Sequence, residues 1–170
     1  EDKAGGDQGS LDDWWLDFGC EPSSGPLPDG DVDTGGCVPG TPGTAVSCST
    51  DLYTGNHALA HAPCISPPVH HTGLSVCSPN GFDYYRFHLR AFQVVTIELS
   101  FTHANGDIDM HLFGPDPQDD SYTYQVGSSS GVSNSENITY EADEEGDYVL
   151  RVKMYTSGAT NSYQMDITVH

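Results

Sequence analysis

Apolar and polar residues alternate with a period of two through most of residues 83–169, and this constrains the fold more than any other feature. Such alternation is typical of strands that bury one face and expose the other to water. Turn-forming residues separate the runs, as in Pro79-Asn80-Gly81 and Asn105-Gly106-Asp107. The clearest runs are residues 83–89, 92–101, 108–112, 148–154 and 163–169. We therefore predict an all-β domain, a two-sheet antiparallel β-sandwich of the jelly-roll kind with seven or eight strands. Only residues 56–62 could form a helical turn or two.

The first 50 residues have a different composition, rich in Gly, Pro and acids. Such a segment buries too little surface to fold alone, so we divide the chain into an irregular extension, 1–50, and a sandwich domain, 51–170. Trp14, Trp15 and Phe18 interrupt the extension with an apolar cluster. Because exposed tryptophans are costly, we expect this cluster to dock, either on its own domain or on a neighbouring copy during assembly.

The charge of the chain limits its partners. Asp and Glu number 25 against 5 Lys and Arg, which gives a net charge of -20. This charge argues against nucleic acid and anionic membrane surfaces, and no apolar run approaches the roughly 20 residues of a membrane span. The acidity fits either adaptation to salt or calcium binding, and the composition does not choose between them.

Five cysteines without a Cys-x-x-Cys pair favour disulfides and an oxidising compartment, so we expect a secreted or cell-surface protein. The start at Glu1 within a polar stretch suggests a processed product. Cys64 and Cys77 are the preferred pair because a turn between them could bring them together. The pairing of the other cysteines stays open. These are Cys20, Cys37 and Cys48.

Five segments occur in an order that characterises one family. They are residues 83–87 (Asp-Tyr-Tyr-Arg-Phe), 94–99, 105–112 (Asn-Gly-Asp-Ile-Asp-Met-His-Leu), 133–140 and 146–152 (Gly-Asp-Tyr-Val-Leu-Arg-Val). From about Asp51 to Val169 the chain resembles the bacterial pre-peptidase C-terminal (PPC) domain, a secreted β-sandwich appended to exported peptidases. The collagen-binding domains of collagenases are similar. The resemblance implies a non-catalytic module.

The resemblance also implies calcium as a cofactor. Some members hold it with carboxylates and an Asn before the sandwich, together with an Asp at the start of the next strand. The matching residues here are Asp51, Asn56 and Asp83, while Thr54 and His57 stand where acids are expected. Calcium takes six to eight oxygen ligands, so carbonyls and water would have to complete this set.

Two other groups of residues suggest a metal. Asp29, Asp31 and Asp33 lie at every second position, but the glycine is one place late for an EF-hand loop and no glutamate follows at its twelfth position. A solvated acidic linker is the favoured interpretation. His57 and His61 have the spacing of a helical metal site but lack the glutamate of a His-Glu-x-x-His protease. No Gly-x-Ser-x-Gly nucleophile motif occurs either, so we expect no enzyme and no catalytic residue.

A strip of cationic and aromatic residues is the candidate ligand-binding surface. It comprises Tyr84, Arg86, Arg151, Lys153 and Tyr155. If exposed, these side chains could grip a polymer; alternatively they pair with nearby acids. We therefore expect a calcium-stabilised accessory module that attaches an exported protein, such as a parent peptidase, to an extracellular polymer or cell surface. The alternative is a structural subunit of a filament or oligomer assembled through the extension.

Overall fold

A computed structural model describes residues 51–53, 55–77 and 81–170. In these residues it contains eight strands and two single-turn 3₁₀ helices, Leu59–His61 and His103–Asn105. The strands are β1 (Val69–Cys77), β2 (Phe82–Leu89), β3 (Val94–Phe101), β4 (Ile108–Phe113), β5 (Gln125–Ser129), β6 (Ser135–Glu141), β7 (Gly146–Met154) and β8 (Thr160–Val169).

The strands pair as one long hairpin rolled into two sheets. The pairs are nested and antiparallel: β1 with β8, β2 with β7, β3 with β6, and β4 with β5. Two further antiparallel pairs, β3 with β8 and β4 with β7, complete four-stranded sheets in the orders β1-β8-β3-β6 and β2-β7-β4-β5. This is jelly-roll topology, and the predicted fold class is confirmed.

The core lies between the sheets and is built from the alternating apolar positions. Fully buried side chains come from strands of both sheets, and each contributes roughly 1.5–3 kcal/mol by leaving water. The largest of them are Tyr85, Tyr148, Tyr163, Phe87, Phe113, Leu74, Leu89, Ile97, Leu99, Ile108, Met110 and Leu112. Phe113 lies outside the main core cluster; the other eleven belong to it.

Strand β1 does not show a continuous alternation of apolar and polar residues, because a β-bulge shifts which positions face the core. Val69 and His71 face the same side as Leu74 and Val76, so the inward positions switch from odd to even. The pairing register shifts between His71 and Leu74, where Gly73 takes a positive φ of 76°. A bulge of this kind adds one residue to one strand and breaks the sequence period.

The predicted helical segment shrinks to one 3₁₀ turn. That turn begins at Leu59, so His57 lies before it and the two histidines do not share a helix face. His57 instead contacts the carbonyl of Phe82, with Nδ1 3.1 Å from that oxygen. The helical spacing argument for a transition metal therefore fails.

Candidate functional site

The segment before the sandwich brings two acids and one amide together at the first strands. We call Asp51, Asn56 and Asp83 the junction site. Asp83 is fully buried on the inward side of β2, and Asn56 and Asp51 are 2% and 8% exposed. The amide N–H of Tyr84 donates to the carbonyl of Asn56 at 2.9 Å, which fixes the segment to the edge of β2. The structure thus places the three predicted ligands in one buried region.

Burial disfavours the charged form of both carboxyl groups of the junction site, and the charge of Asp51 further disfavours that of Asp83. Burial and then the charge of Asp51 raise the pKa of Asp83 to about 8, against a smaller lowering by the Tyr163 hydroxyl. Burial raises the pKa of Asp51 to about 6, although main-chain amides of Tyr53 and Ser75 act the other way. A site that disfavours two negative charges favours either protons or a bound cation.

The hydroxyl of Tyr163 supplies the only side-chain hydrogen bond to Asp83 within the described residues. Tyr163 Oη donates to Asp83 Oδ2 at 2.8 Å, and it lies 2.5 Å from Tyr85 Oη. Burial, followed by the charge of Asp83, raises the pKa of both tyrosines well above the usual value. Both hydroxyls therefore stay protonated. The hydrogen bond from Tyr163 fixes the position of Asp83 Oδ2.

The remaining oxygens of the junction site have the chemistry of calcium ligands. Asn56 Oδ1 and Asp83 Oδ1 are buried and accept no hydrogen bond from any described residue. His57 Nδ1 lies 3.6 Å from that Asp83 oxygen. Unsatisfied buried oxygens are costly, and a hard cation would satisfy them. The oxygens of these residues are of the kind that calcium takes, and further oxygens would have to complete its six to eight ligands.

The fit depends on the amide and on main-chain groups. Among the described residues no three His, Cys, Asp or Glu side chains are arranged to hold a metal ion. The junction site has two carboxylates, and His57 stands where the family resemblance implies a further acid. We therefore expect a calcium site of modest affinity, since affinity depends on the number of charged ligands.

The predicted cationic strip is only partly exposed: Tyr84 is buried, Arg86, Arg151 and Lys153 are half-buried, and Tyr155 is exposed. Tyr84 is 4% exposed and donates through Oη to Asp120 Oδ2 at 2.8 Å. Arg151 Nη1 donates to the same oxygen at 2.7 Å. Asp120 belongs to the β4–β5 loop, residues 114–124, and we call this three-residue contact the Asp120 latch. The expected exposure of Tyr84 is wrong because this loop carries an acid onto the sheet.

The rest of the strip is partly paired as well. The guanidinium of Arg151 lies 4.9 Å from the ring centroid of Phe113. Arg86 Nη1 is 3.9 Å from a carboxylate oxygen of Asp147. Lys153 Nζ lies 5.6 Å from the Tyr155 ring, and Tyr155 is 66% exposed. Pairing with acids therefore describes both arginines, and a ligand-binding role for the strip stays a prediction.

The Asp120 latch yields a mutational prediction. Asp120→Ala leaves the Tyr84 hydroxyl and the Arg151 guanidinium without their shared acceptor, so we expect a loss of about 1–2 kcal/mol in the free energy of unfolding. The pKa of Tyr84, raised to about 12 mainly by burial and also by Asp120, should fall. Urea denaturation and spectrophotometric tyrosine titration measure the two effects. Asp119→Asn, at an exposed neighbour, is the matched control: it keeps the oxygen that accepts the Ser121 N–H and should change neither quantity.

Comparison with known proteins agrees with the β-sandwich fold. Residues 81–153, from β2 to near the end of β7, match the family model described as the bacterial pre-peptidase C-terminal domain. The predicted resemblance to the PPC family is confirmed. The PPC match does not include β1, β8 or the residues before β1, among them Asp51 and Asn56. No match was found among curated proteins.

Two solved structures are similar to this chain. The pre-peptidase C-terminal domain of collagenase from Bacillus anthracis superposes with a TM-score of 0.52 at 17% identity, covering 63% of this chain and 94% of that one. A periplasmic inhibitor of g-type lysozyme, PliG from Aeromonas hydrophila, matches with a TM-score of 0.45 at 16% identity, covering 64% of this chain and 100% of that one. The collagenase domain establishes similarity of fold.

Several predicted residues lie outside the described part of the chain. The acidic loop residues Asp29, Asp31 and Asp33 are among them, as are Trp14, Trp15 and Phe18. Cys20, Cys37, Cys48 and Thr54 are also outside it. Their metal-binding, assembly and disulfide roles stay predictions. Within the described residues, no helix is both long enough and apolar enough to span a membrane.

Proposed function

We propose that this chain is a secreted, non-catalytic binding module that attaches an exported protein to an extracellular polymer or to the cell surface. In this proposal calcium is structural and stabilises the junction between the preceding segment and the PPC-like sandwich. Support comes from the family match over residues 81–153 and from the collagenase domain that shares the fold. The parent protein would be a peptidase or another exported enzyme.

The observation that carries the proposal is the junction site with its unsatisfied oxygens. Asp51 and Asn56 belong to the preceding segment, while Asp83 belongs to β2. A cation held by all three would tie that segment to the sandwich and remove the repulsion between the two carboxylates. A clamp at this position would hold the sandwich at a defined orientation to whatever precedes it, which suits a module that orients its parent on a surface.

Co-sedimentation tests the attachment directly. The full chain is mixed with insoluble fibrillar collagen, peptidoglycan, chitin and cellulose, in calcium and in excess chelator. We expect retention on one polymer class, with at least a several-fold reduction in chelator. Failure to bind any of the four in calcium would contradict the proposed attachment role.

The disulfide prediction is part of the same proposal, since an exported module meets an oxidising compartment. The backbone of Cys64 pairs with that of Arg86 in an isolated β-bridge at the edge of β2. Cys77 is the last residue of β1. The intervening residues are mostly strand β1, so no simple turn joins the two cysteines as the sequence suggested.

We propose that Cys64 and Cys77 pair with one another and pin the preceding segment to β1. Proteolysis without reduction, followed by mass spectrometry, should yield a cross-linked peptide pair containing both residues. Its disappearance on reduction is the internal control. Finding Cys64 or Cys77 linked to one of the other three cysteines would contradict this pairing.

A further inference from the structure

A cleft of about 360 Å³ opens on the outer face of the β1-β8-β3-β6 sheet. Its lining comprises Gly73, Ser100, Phe101, Thr102, Ser162, Tyr163 and Gln164. The β-bulge of β1 borders it, because two residues, Thr72 and Gly73, stand opposite the single Gln164 of β8. Bulges are over-represented beside functional sites, where they redirect side chains and interrupt pairing.

The cleft presents neutral hydrogen-bonding groups that no other described residue of the chain uses. The side chains of Ser100, Thr102, Ser162 and Gln164 make no hydrogen bond to any described residue. Next to them, Ser75 is the register partner of Ser162 and is only 6% exposed, and its hydroxyl also lacks a partner. Such a concentration of unused donors and acceptors on one sheet face favours a polar ligand.

The chemistry of the lining selects the class of ligand. No charged side chain lines the cleft, so it offers no counter-charge to an anion or a cation. The two aromatic residues of the lining, Phe101 and Tyr163, are 8% and 2% exposed and present little apolar surface to a proline-rich peptide. Hydroxyl and amide groups instead match the hydroxyls of a sugar. A neutral sugar is also not repelled by a chain of charge -20.

We propose that this cleft binds a unit of a neutral polysaccharide. The inference rests on the proposed attachment function and names the class of polymer. The Gln164 amide can donate to one sugar hydroxyl and accept from another, while the hydroxyls of Ser100 and Ser162 complete the contacts. Beyond the cleft the sheet face continues with the exposed residues Ser135, Asn137 and Thr139 of edge strand β6, so an extended sugar chain can lie across it.

Binding measurements on the full chain test the proposal. Cellopentaose and chitopentaose are titrated calorimetrically in calcium, and cellulose, chitin and fibrillar collagen are used for co-sedimentation. We expect one pentaose and its parent polymer to bind. Gln164→Ala and Ser162→Ala should each weaken that binding by at least about 10-fold with an unchanged thermal melt. Thr123→Ala, at an exposed threonine of the β4–β5 loop and outside this sheet, is the matched control and should bind normally.

The outcomes separate this inference from the proposed function. Retention on collagen alone, with neither pentaose bound, overturns the saccharide inference and leaves the attachment function standing. Binding of a pentaose without retention on any polymer supports the saccharide cleft and contradicts attachment. Saccharide binding that survives both cleft variants places the ligand elsewhere and overturns the assignment. Binding to nothing contradicts both proposals.

Discussion

Removal of calcium should lower the melting temperature of the chain by roughly 10 °C. A ligand present at 100 times its dissociation constant stabilises the folded state by about 2.7 kcal/mol, and for a domain of this size each kcal/mol shifts the melt by a few degrees. The stabilisation arises because the cation satisfies Asn56 Oδ1 and Asp83 Oδ1 and removes the repulsion between Asp51 and Asp83. Differential scanning calorimetry at pH 7.5, in 1 mM calcium and in excess chelator, measures the difference.

Asp83→Asn supplies the decisive comparison. Because the pKa of Asp83 is raised to about 8, an amide is a close substitute for the protonated carboxyl, so the variant should fold. It should melt at the same temperature with calcium and with chelator. Asp119→Asn removes the same formal charge at an exposed loop position and should keep the full calcium response. A wild-type melt that ignores chelator would contradict the calcium clamp.

Without calcium, the chain should lose stability as the pH rises from 5 to 8. The folded-state pKa of Asp83 is about 8 and that of Asp51 about 6, both above the ordinary aspartate value of 3.8. Between the unfolded and folded pKa values the folded protein binds more protons, so stability is fully present below about pH 4 and declines toward pH 8. Three pH units within that window correspond to about 4 kcal/mol for Asp83 alone.

Urea denaturation in chelator, repeated at each pH, measures this decline. Asp83→Asn should remove most of the slope, whereas Asp119→Asn should leave it unchanged. Saturating calcium should flatten the wild-type curve, because the cation stabilises the ionised carboxylates in place of protons. Stability in chelator that increases over this pH range would show that Asp83 is ionised without cost, in conflict with its burial.

Most of the fold could be predicted because each long strand buries one face. The runs that became β3 and β8 have alternating burial, which the sequence period reports directly. In β4 the sequence alternates but five of the six residues are buried, so both of its faces are covered. Strand β1 could not be found this way, since the bulge at Gly73 shifts the inward positions halfway along it. Strand β5 pairs only with β4 at the sheet edge and carries little apolar sequence, so its pattern is weak.

The candidate sites were only partly predictable. Asp83 is an odd-numbered residue of β2, like the core residues Tyr85 and Phe87, so its side chain was expected on the core face. An acid at such a position already indicated a special role in the sequence. The Asp120 latch gave no such signal, because the path of the β4–β5 loop depends on tertiary contacts. The sugar cleft was also invisible in the sequence. It depends on Gln164 standing opposite a bulge, and serines and threonines alone indicate no particular surface.

Calorimetric titration of calcium into the chelator-treated chain tests the central claim most directly. The account predicts one binding event at the junction site, with affinity increasing from pH 6 to pH 8 as the two carboxyl groups lose their protons. That event should be absent in Asp83→Asn and retained in Asp119→Asn. No calcium binding by the wild-type chain, or equal binding by Asp83→Asn, would contradict the account.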